Sequence, residues 1–170
     1  MTAQQVGAEH QMSISDKARA FALMNMATSD ALVAVFDTKY FYVFWRPVTA
    51  IHAGDADGNP KTEGDSAWMP FITTPSFPSY ASAHGAGSGA AARVLTQLFG
   101  AAGHAITLST PAVPGVILQY TAFQEMTDDV SDARVYGGIH FRFDQDEGER
   151  LGREVGQYVI AHNLRPAGQE

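Results

Sequence analysis

The sequence predicts an all-α fold, a single helical-bundle domain that spans residues 1–170. Three stretches support this fold class because each resembles a helix in its composition and its end signals: 15–46, 84–99 and 144–163. A chain of 170 residues is long enough to bury a core, and 45% hydrophobic with 17% charged residues is ordinary for a globular domain.

The first predicted helix covers residues 15–46, with Ser15 as its N-cap. Its apolar face is formed by Phe21, Met24, Leu32, Val35 and Phe36. The aromatic run at its end, KYFYVFWR, suits a strand equally well, and we expect Pro47 to end the element. The stretch at about 51–80 is rich in glycine and proline. We expect it to be a long loop near a site, since such loops usually form a lid or line a site.

The second half of the chain predicts further helices. The second helix covers about 84–99 and is closed by a glycine. Residues 105–116 contain prolines and are expected to form an irregular connection to a third helix over 116–134. The fourth helix covers 144–163, where acidic side chains at its start complement the helix dipole.

Charge and composition exclude several classes of function. A formal net charge of −7 argues against a nucleic-acid partner, which requires a basic surface. The absence of cysteine excludes disulfides, thiolate catalysis and cysteine metal sites. No window approaches an unbroken apolar run of about 20 residues, so we expect no membrane span. The N-terminus lacks a basic region followed by an apolar stretch, so no signal peptide is expected, and the compartment stays open.

Lys39 and Arg46 are candidate anion ligands. On a helix their spacing is close to two turns, which aligns them on one face roughly 10 Å apart, whereas a strand would place them on opposite faces. Two solvated charges on a helix face are the alternative. Because aromatic residues surround them, we expect buried cations, and buried cations need an anion.

His140 and Asp144 form a candidate pair. At this spacing on a helix the carboxylate can accept from the imidazole and fix its tautomer, which raises the basicity of the other ring nitrogen. A structural salt bridge is the alternative interpretation. Arg134 precedes this pair in the chain. We expect the helix to break at Gly137-Gly138, between Arg134 and His140.

The stretch FPSYASAHGAGSGAAAR, residues 77–93, is the third candidate segment. A helix that begins near His84 would point free backbone N–H groups towards the side of Ser82, an arrangement that suits an anion. The alternative is a glycine-rich turn that leads into a helix, with a neighbouring helix packed closely against its small residues.

These segments occur in a recognisable order. Lys39 to Pro47 fits Lys-x6-Arg-Pro, Pro78 to His84 fits Pro-Ser…Ser-Gly-His with one change, and Arg134 to Asp144 fits Arg-x5-His with a following Asp. The chain therefore resembles the type 2 phosphatidic acid phosphatase superfamily, which includes the vanadium-dependent haloperoxidases. FWRP at 44–47 and YGGIHFRFD at 136–144 resemble the haloperoxidase branch more closely.

The resemblance implies a helical bundle that binds vanadate, with phosphate able to occupy the same site. It implies that His140 Nε2 is the axial ligand of vanadium with Asp144 behind it, and that His84 is the acid–base group. The implied ligands of the oxyanion are Lys39, Arg46 and Arg134, with the Ser82 hydroxyl and the Ala83 N–H. Phe77 matches an aromatic on the halide side of chloride-oxidising relatives, and a hydrophobic loop anchor is the alternative.

The implied activity is oxidation of halide to hypohalous acid by hydrogen peroxide. One alternative is an acid phosphatase that hydrolyses a phosphomonoester through a phospho-His140 intermediate. Another is an inactive oxyanion-binding helical protein, because Ala83 replaces the usual glycine and Ala133 the usual serine. Asp30 and Asp37 are candidates for the family carboxylate that pairs with the last arginine. A homo-oligomer or a larger protein is expected to complete so short a bundle.

Overall fold

The computed structural model describes residues 2–165, which form a helical bundle with a small β-hairpin at one end, so the predicted fold class is confirmed. The elements follow in chain order: α1 (Thr2–Glu9), α2 (Ile14–Tyr42), α3 (Pro47–His52), α4 (Ala83–Phe99), β1 (Ala102–Ser109), β2 (Ile117–Ala122), α5 (Phe123–Tyr136) and α6 (Arg142–His162). A single turn of 3₁₀ helix, Gly54–Ala56, follows α3. The extension of the predicted single domain to 1–170 stays a prediction, since part of that range lies outside the described residues.

The core lies where α2, α4 and α6 meet. The buried residues there are Leu23, Ala27, Ala31 and Val35 of α2, Ala86, Ala90 and Val94 of α4, and Val159 of α6. The N-cap of α2 is Ser13, not Ser15, and its side chain accepts from the Asp16 N–H at 3.1 Å. Within the described part of the chain, Ile14–His52 is long and apolar enough to cross a membrane by length and composition, a test that core helices of globular proteins also pass.

The end of α2 differs from the prediction. The helix ends at Tyr42, and Val43 takes a left-handed conformation with φ 47°. Arg46 is extended, because a proline disfavours the helical conformation of the residue before it. Pro47 therefore begins α3 instead of ending α2, in the first helical position where its missing N–H costs nothing. Lys39 and Arg46 consequently do not share one helix.

The region between α4 and α5 also differs from the prediction. Residues expected to form an irregular connection and the start of a helix instead form an antiparallel two-stranded hairpin. Ile106 pairs with Tyr120, and both belong to the buried cluster that contains Phe123. The alternation of His104, Ile106 and Leu108 is typical of a half-buried strand. The nearby prolines favoured the wrong prediction of an irregular connection. The α5 helix begins at Phe123 instead of 116. The sequence reading also missed α1.

α4 and α6 pack with their backbones unusually close. A Cβ added to Gly89 of α4 would lie 2.7 Å from the Glu149 carbonyl oxygen, and one added to Gly148 of α6 would overlap the Ser82 backbone. The predicted close approach of a neighbouring helix to the small residues of α4 is therefore observed. It places the N-terminal ends of the two helices side by side, where the Ser82 N–H donates to the Asp144 carbonyl oxygen at 2.8 Å.

Candidate oxyanion site

Three segments of the chain meet at the paired N-terminal ends of α4 and α6. Ser82 is the N-cap of α4 and is fully buried, and its Oγ accepts from the Gly85 N–H at 3.1 Å. Because that bond uses a lone pair, the hydroxyl hydrogen of Ser82 remains available to donate. Ala83 is the first residue of α4, where backbone N–H groups have no partner within the helix. A helical conformation suits alanine as well as glycine, so the backbone at Ala83 does not require a glycine.

Lys39 lies fully buried in the last turn of α2. Its Nζ donates to the carbonyl oxygens of Pro78 and Ser79, at 2.9 and 2.8 Å. Burial lowers the pKa of Lys39 to about 8; the neighbouring Arg46 also lowers this pKa, and Asp144 opposes them. An ammonium group has three donors, so the third hydrogen of Nζ is left for another acceptor.

Arg46 joins the segment after α2 to the segment before α6. Its Nε donates to the Phe77 carbonyl oxygen at 3.0 Å, and its Nη1 donates to the Ile139 carbonyl oxygen at 2.7 Å. Nη1 also lies 3.1 Å from His140 Nε2, while Nη2 is buried without a hydrogen-bond partner among the described residues. Burial lowers the pKa of Arg46 to about 10, with Asp144 raising it and Arg134 lowering it.

The His140 and Asp144 side chains lie together in the buried interior. His140 Nδ1 is 2.9 Å from Asp144 Oδ2, which also accepts from the Phe141 N–H at 3.1 Å. With Nδ1 facing a carboxylate and Nε2 facing a guanidinium, the imidazole carries its proton on Nδ1 and a lone pair on Nε2. Burial lowers the pKa of His140, Asp144 raises it, and Arg46 and Lys39 lower it. The net lowering favours the neutral ring at neutral pH.

His84 and Arg134 lie on the more open side. His84 is exposed near the start of α4, yet partial burial of its ring lowers its pKa, as do Arg134 and Lys39. Arg134 lies in the last turn of α5, which ends at Tyr136 before the predicted glycine break. Its Nε is buried without a hydrogen-bond partner, and within residues 2–165 it forms no ion pair with Asp30 or Asp37.

Phe77 and Ser79 come from the long segment before α4. The centroid of the Phe77 ring lies 5.3 Å from Lys39 Nζ and 5.2 Å from Arg46 Cζ. Both cations therefore lie over the ring at cation–π distance. Ser79 is fully buried, and its Oγ donates to Asp144 Oδ2 at 2.5 Å. The sequence reading gave Ser79 no place in the site. Only its position beside the proline of the Pro-Ser pair could have indicated it.

The donor groups fit an oxyanion. Arg46 Nη2 and Arg134 Nε are buried donors without partners in the described residues, and a buried donor normally has an acceptor. The His140 lone pair lies among the cations, where it can coordinate an electron-poor centre that carries anionic oxygens. Residues 2–165 contain no group of three His, Cys, Asp or Glu side chains placed to hold a metal cation. Tetrahedral phosphate and vanadate match this set of one imidazole and several cationic donors.

A family comparison agrees with the geometry. The family described as "VCPO second helical-bundle domain" matches residues 19–168 of this chain. The chain belongs to this family. The expected relationship to the haloperoxidase branch is therefore confirmed.

Individual relatives support the same assignment. The chain is 30% identical over 102 residues to the vanadium chloroperoxidase of Curvularia inaequalis, an alignment that covers 54% of this chain and 16% of that protein. The crystal structure of a bacterial vanadium-dependent iodoperoxidase superposes with a TM-score of 0.80 at 30% identity, covering 94% of this chain and 37% of that one.

A bacterial vanadium-dependent chloroperoxidase shows the same fold at lower identity. Its holo form gives a TM-score of 0.67 at 22% identity, covering 82% of this chain and 34% of that one. The structure of an apo-type bacterial vanadium-dependent chloroperoxidase gives a TM-score of 0.74 at 20% identity, covering 88% of this chain and 37% of that one. The chain thus spans little more than a third of the length of these structures.

Proposed function

We propose that this chain holds vanadate and uses it, with hydrogen peroxide, to oxidise halide to hypohalous acid. The observation that carries the proposal is the position of His140. Its Nδ1 is held by a buried carboxylate, and its Nε2 lone pair lies 3.1 Å from the guanidinium of Arg46. A neutral imidazole whose unprotonated nitrogen lies among cationic donors is suited to coordinate an electrophile that carries anionic oxygens, in exchange for its hydrogen bond with Arg46.

The cations and the end of α4 would bind the oxygens of the anion. Lys39, Arg46 and Arg134 supply positive charge, and the arginines have buried donors without partners in residues 2–165. The Ser82 hydroxyl and the Ala83 N–H add donors at the start of α4, where the helix dipole also favours an anion. Because Lys39 has a pKa of about 8, it is mostly protonated at neutral pH and contributes its charge there.

The remaining residues would control protons and access. Bound vanadate would supply the Lewis acidity that makes peroxide reactive towards halide. The lowered pKa of His84 leaves its ring neutral at neutral pH, so an imidazole nitrogen can accept a proton from incoming peroxide and return it later. The Phe77 ring, whose centroid lies 5.3 Å from Lys39 Nζ and 5.2 Å from Arg46 Cζ, would limit the access of water to these cations.

The first experiment measures binding and activity in the full 170-residue chain. We expect calorimetry to detect vanadate binding, and the vanadate-loaded protein to halogenate a phenolic dye when peroxide and halide are present. His140→Ala should abolish both, because it removes the coordinating lone pair. The control is His162→Ala, which removes an exposed imidazole at the far end of α6 and should change neither.

Other outcomes would assign the alternative functions. Hydrolysis of a small phosphomonoester, inhibited by vanadate and lost in His140→Ala, without any halogenation, would replace the peroxidase proposal by a phosphatase. Failure to bind either vanadate or phosphate at millimolar concentration would contradict both activities and favour an inactive helical protein.

A further inference from the structure

We propose that Ser79 is a positioning residue that adds to Asp144 and Arg46 in holding the tautomer of His140, so that the lone pair stays on Nε2. The consequence for vanadate rests on the proposed function, whereas the effect on the tautomer does not. The inference comes from the hydrogen bonds around the Asp144 carboxylate, whose residue is fully buried.

Three donors converge on a single oxygen atom. Asp144 Oδ2 lies 2.5 Å from Ser79 Oγ, 2.9 Å from His140 Nδ1 and 3.1 Å from the Phe141 nitrogen. The Phe141 amide can only donate, and a hydroxyl beside a carboxylate donates as well. Ser79 and Asp144 are both fully buried, so water does not compete for these bonds.

The single hydroxyl hydrogen of Ser79 determines what His140 Nδ1 can do. Ser79 Oγ lies 2.5 Å from Asp144 Oδ2 but 3.3 Å from His140 Nδ1, so the hydrogen goes to the carboxylate. Oγ then presents a lone pair to Nδ1. In the tautomer with hydrogen on Nε2, the Nδ1 lone pair would face lone pairs from both Asp144 and Ser79. That repulsion disfavours this tautomer, and the neutral ring keeps its hydrogen on Nδ1.

Ser79 itself is held in place from two other segments. Its backbone N–H donates to the Phe44 carbonyl oxygen at 2.9 Å, and its carbonyl oxygen accepts from Lys39 Nζ at 2.8 Å. The hydroxyl therefore has a fixed position relative to α2 and to the residues that follow it. Fixed outer partners of this kind commonly set ligand orientation at inorganic sites.

The test reads the tautomer directly, in protein without vanadate. Two-bond ¹H–¹⁵N correlation spectra of ¹⁵N-histidine protein distinguish a protonated Nδ1 from a protonated Nε2, and His140→Asn assigns the signal. We expect wild-type His140 to be protonated on Nδ1. Ser79→Ala should produce a detectable fraction protonated on Nε2, and Ser79→Thr, which keeps the hydroxyl, should restore the wild-type signal. Ser76→Ala, at an exposed serine of the same segment, should change nothing.

The second readout is vanadate affinity by calorimetry. Ser79→Ala should weaken binding about tenfold, the lower end of the loss typical when an outer partner of a ligand is removed. Absence of binding in the wild type would contradict the proposed function, and the spectra would still decide the role of Ser79.

Two outcomes overturn the inference. One is a wild-type His140 protonated on Nε2, a measurement that needs no variant and holds even if Ser79→Ala does not fold. The other is a Ser79→Ala protein whose His140 signal equals that of the wild type, whatever its vanadate affinity.

Discussion

The two faces of α4 differ in how tightly they are packed. On one face, Gly85 and Gly89 lie so close to α6 that an added Cβ would contact its backbone at 3.0 Å or less. On the other face, Gly87 has room for a Cβ, whose nearest contact would be Thr28 Cγ2 at 3.7 Å. That open face, with His84, borders a groove between α2 and α5.

The difference separates two tasks of the candidate site. The closed face fixes α6, and with it His140 and Asp144, whose hydrogen bonds need positions accurate to a fraction of an ångström. The open face presents His84, which would exchange protons with small molecules that enter from solvent. The experiments below test whether rigidity on one face and tolerance on the other are real properties of the helix.

The largest effect is expected from Gly152→Ala, at the α6 residue that packs against the closed face of α4. A Cβ at Gly152 of α6 would overlap the Ala86 carbonyl oxygen and lie 2.8 Å from the Ala90 nitrogen. Because these are backbone atoms of α4, the two helices must move apart, and we expect a loss of about 3 kcal/mol, the upper end of the range typical of overpacking. Urea unfolding followed by circular dichroism should show the loss. An unchanged midpoint would mean that the helices separate easily and that the closed face is not rigid.

A smaller effect is expected from Lys39, the buried cation of the site. Its pKa of about 8 in the folded protein is below its ordinary value of 10.5, so the unfolded chain binds more protons between these values. The contribution of Lys39 to the free energy of unfolding therefore rises with pH across this window. Below pH 8 the charged side chain destabilises the folded protein by its full amount.

The variant that isolates this contribution is Lys39→Met. Between pH 7 and pH 10, the wild type should gain about 2 kcal/mol in free energy of unfolding relative to the variant. Urea titrations of both proteins at several pH values measure the difference. If the difference stays constant with pH, Lys39 is not desolvated in the folded protein.

Local patterns in the sequence predicted much of the fold. α2, α4 and α6 follow from apolar spacing, small residues and charges at helix ends, since these act over a single element. The predicted end of α2 was wrong because Pro47 was interpreted as the residue that ends the preceding helix. Its actual effect is on Arg46, which it makes extended, and on α3, which it begins. The hairpin was missed because only a short alternation marks it.

The candidate site was less accessible to sequence reasoning. The motif positions of Lys39, Arg46 and His140 were identified, and the structure brings these side chains together. Their roles stay predictions. The hydrogen bond of Ser79 to Asp144 joins residues 65 positions apart, and no local pattern encodes it. It arises from the backbone bonds of Ser79 to Phe44 and Lys39, which only the folded chain contains.

The smallest effect is expected on the open face from Gly87→Ala. The added methyl would meet only Thr28 Cγ2 and Leu32 Cδ2, at ordinary contact distances of 3.7 and 4.0 Å. Replacing a glycine inside a helix by alanine reduces the entropy lost on folding, so we expect stabilisation by about 0.5–1 kcal/mol. Urea unfolding beside Gly152→Ala gives the comparison, since both variants add the same methyl group. Destabilisation by Gly87→Ala would show that α2 is packed against α4 as tightly as α6 is, and the contrast between the two faces would fail.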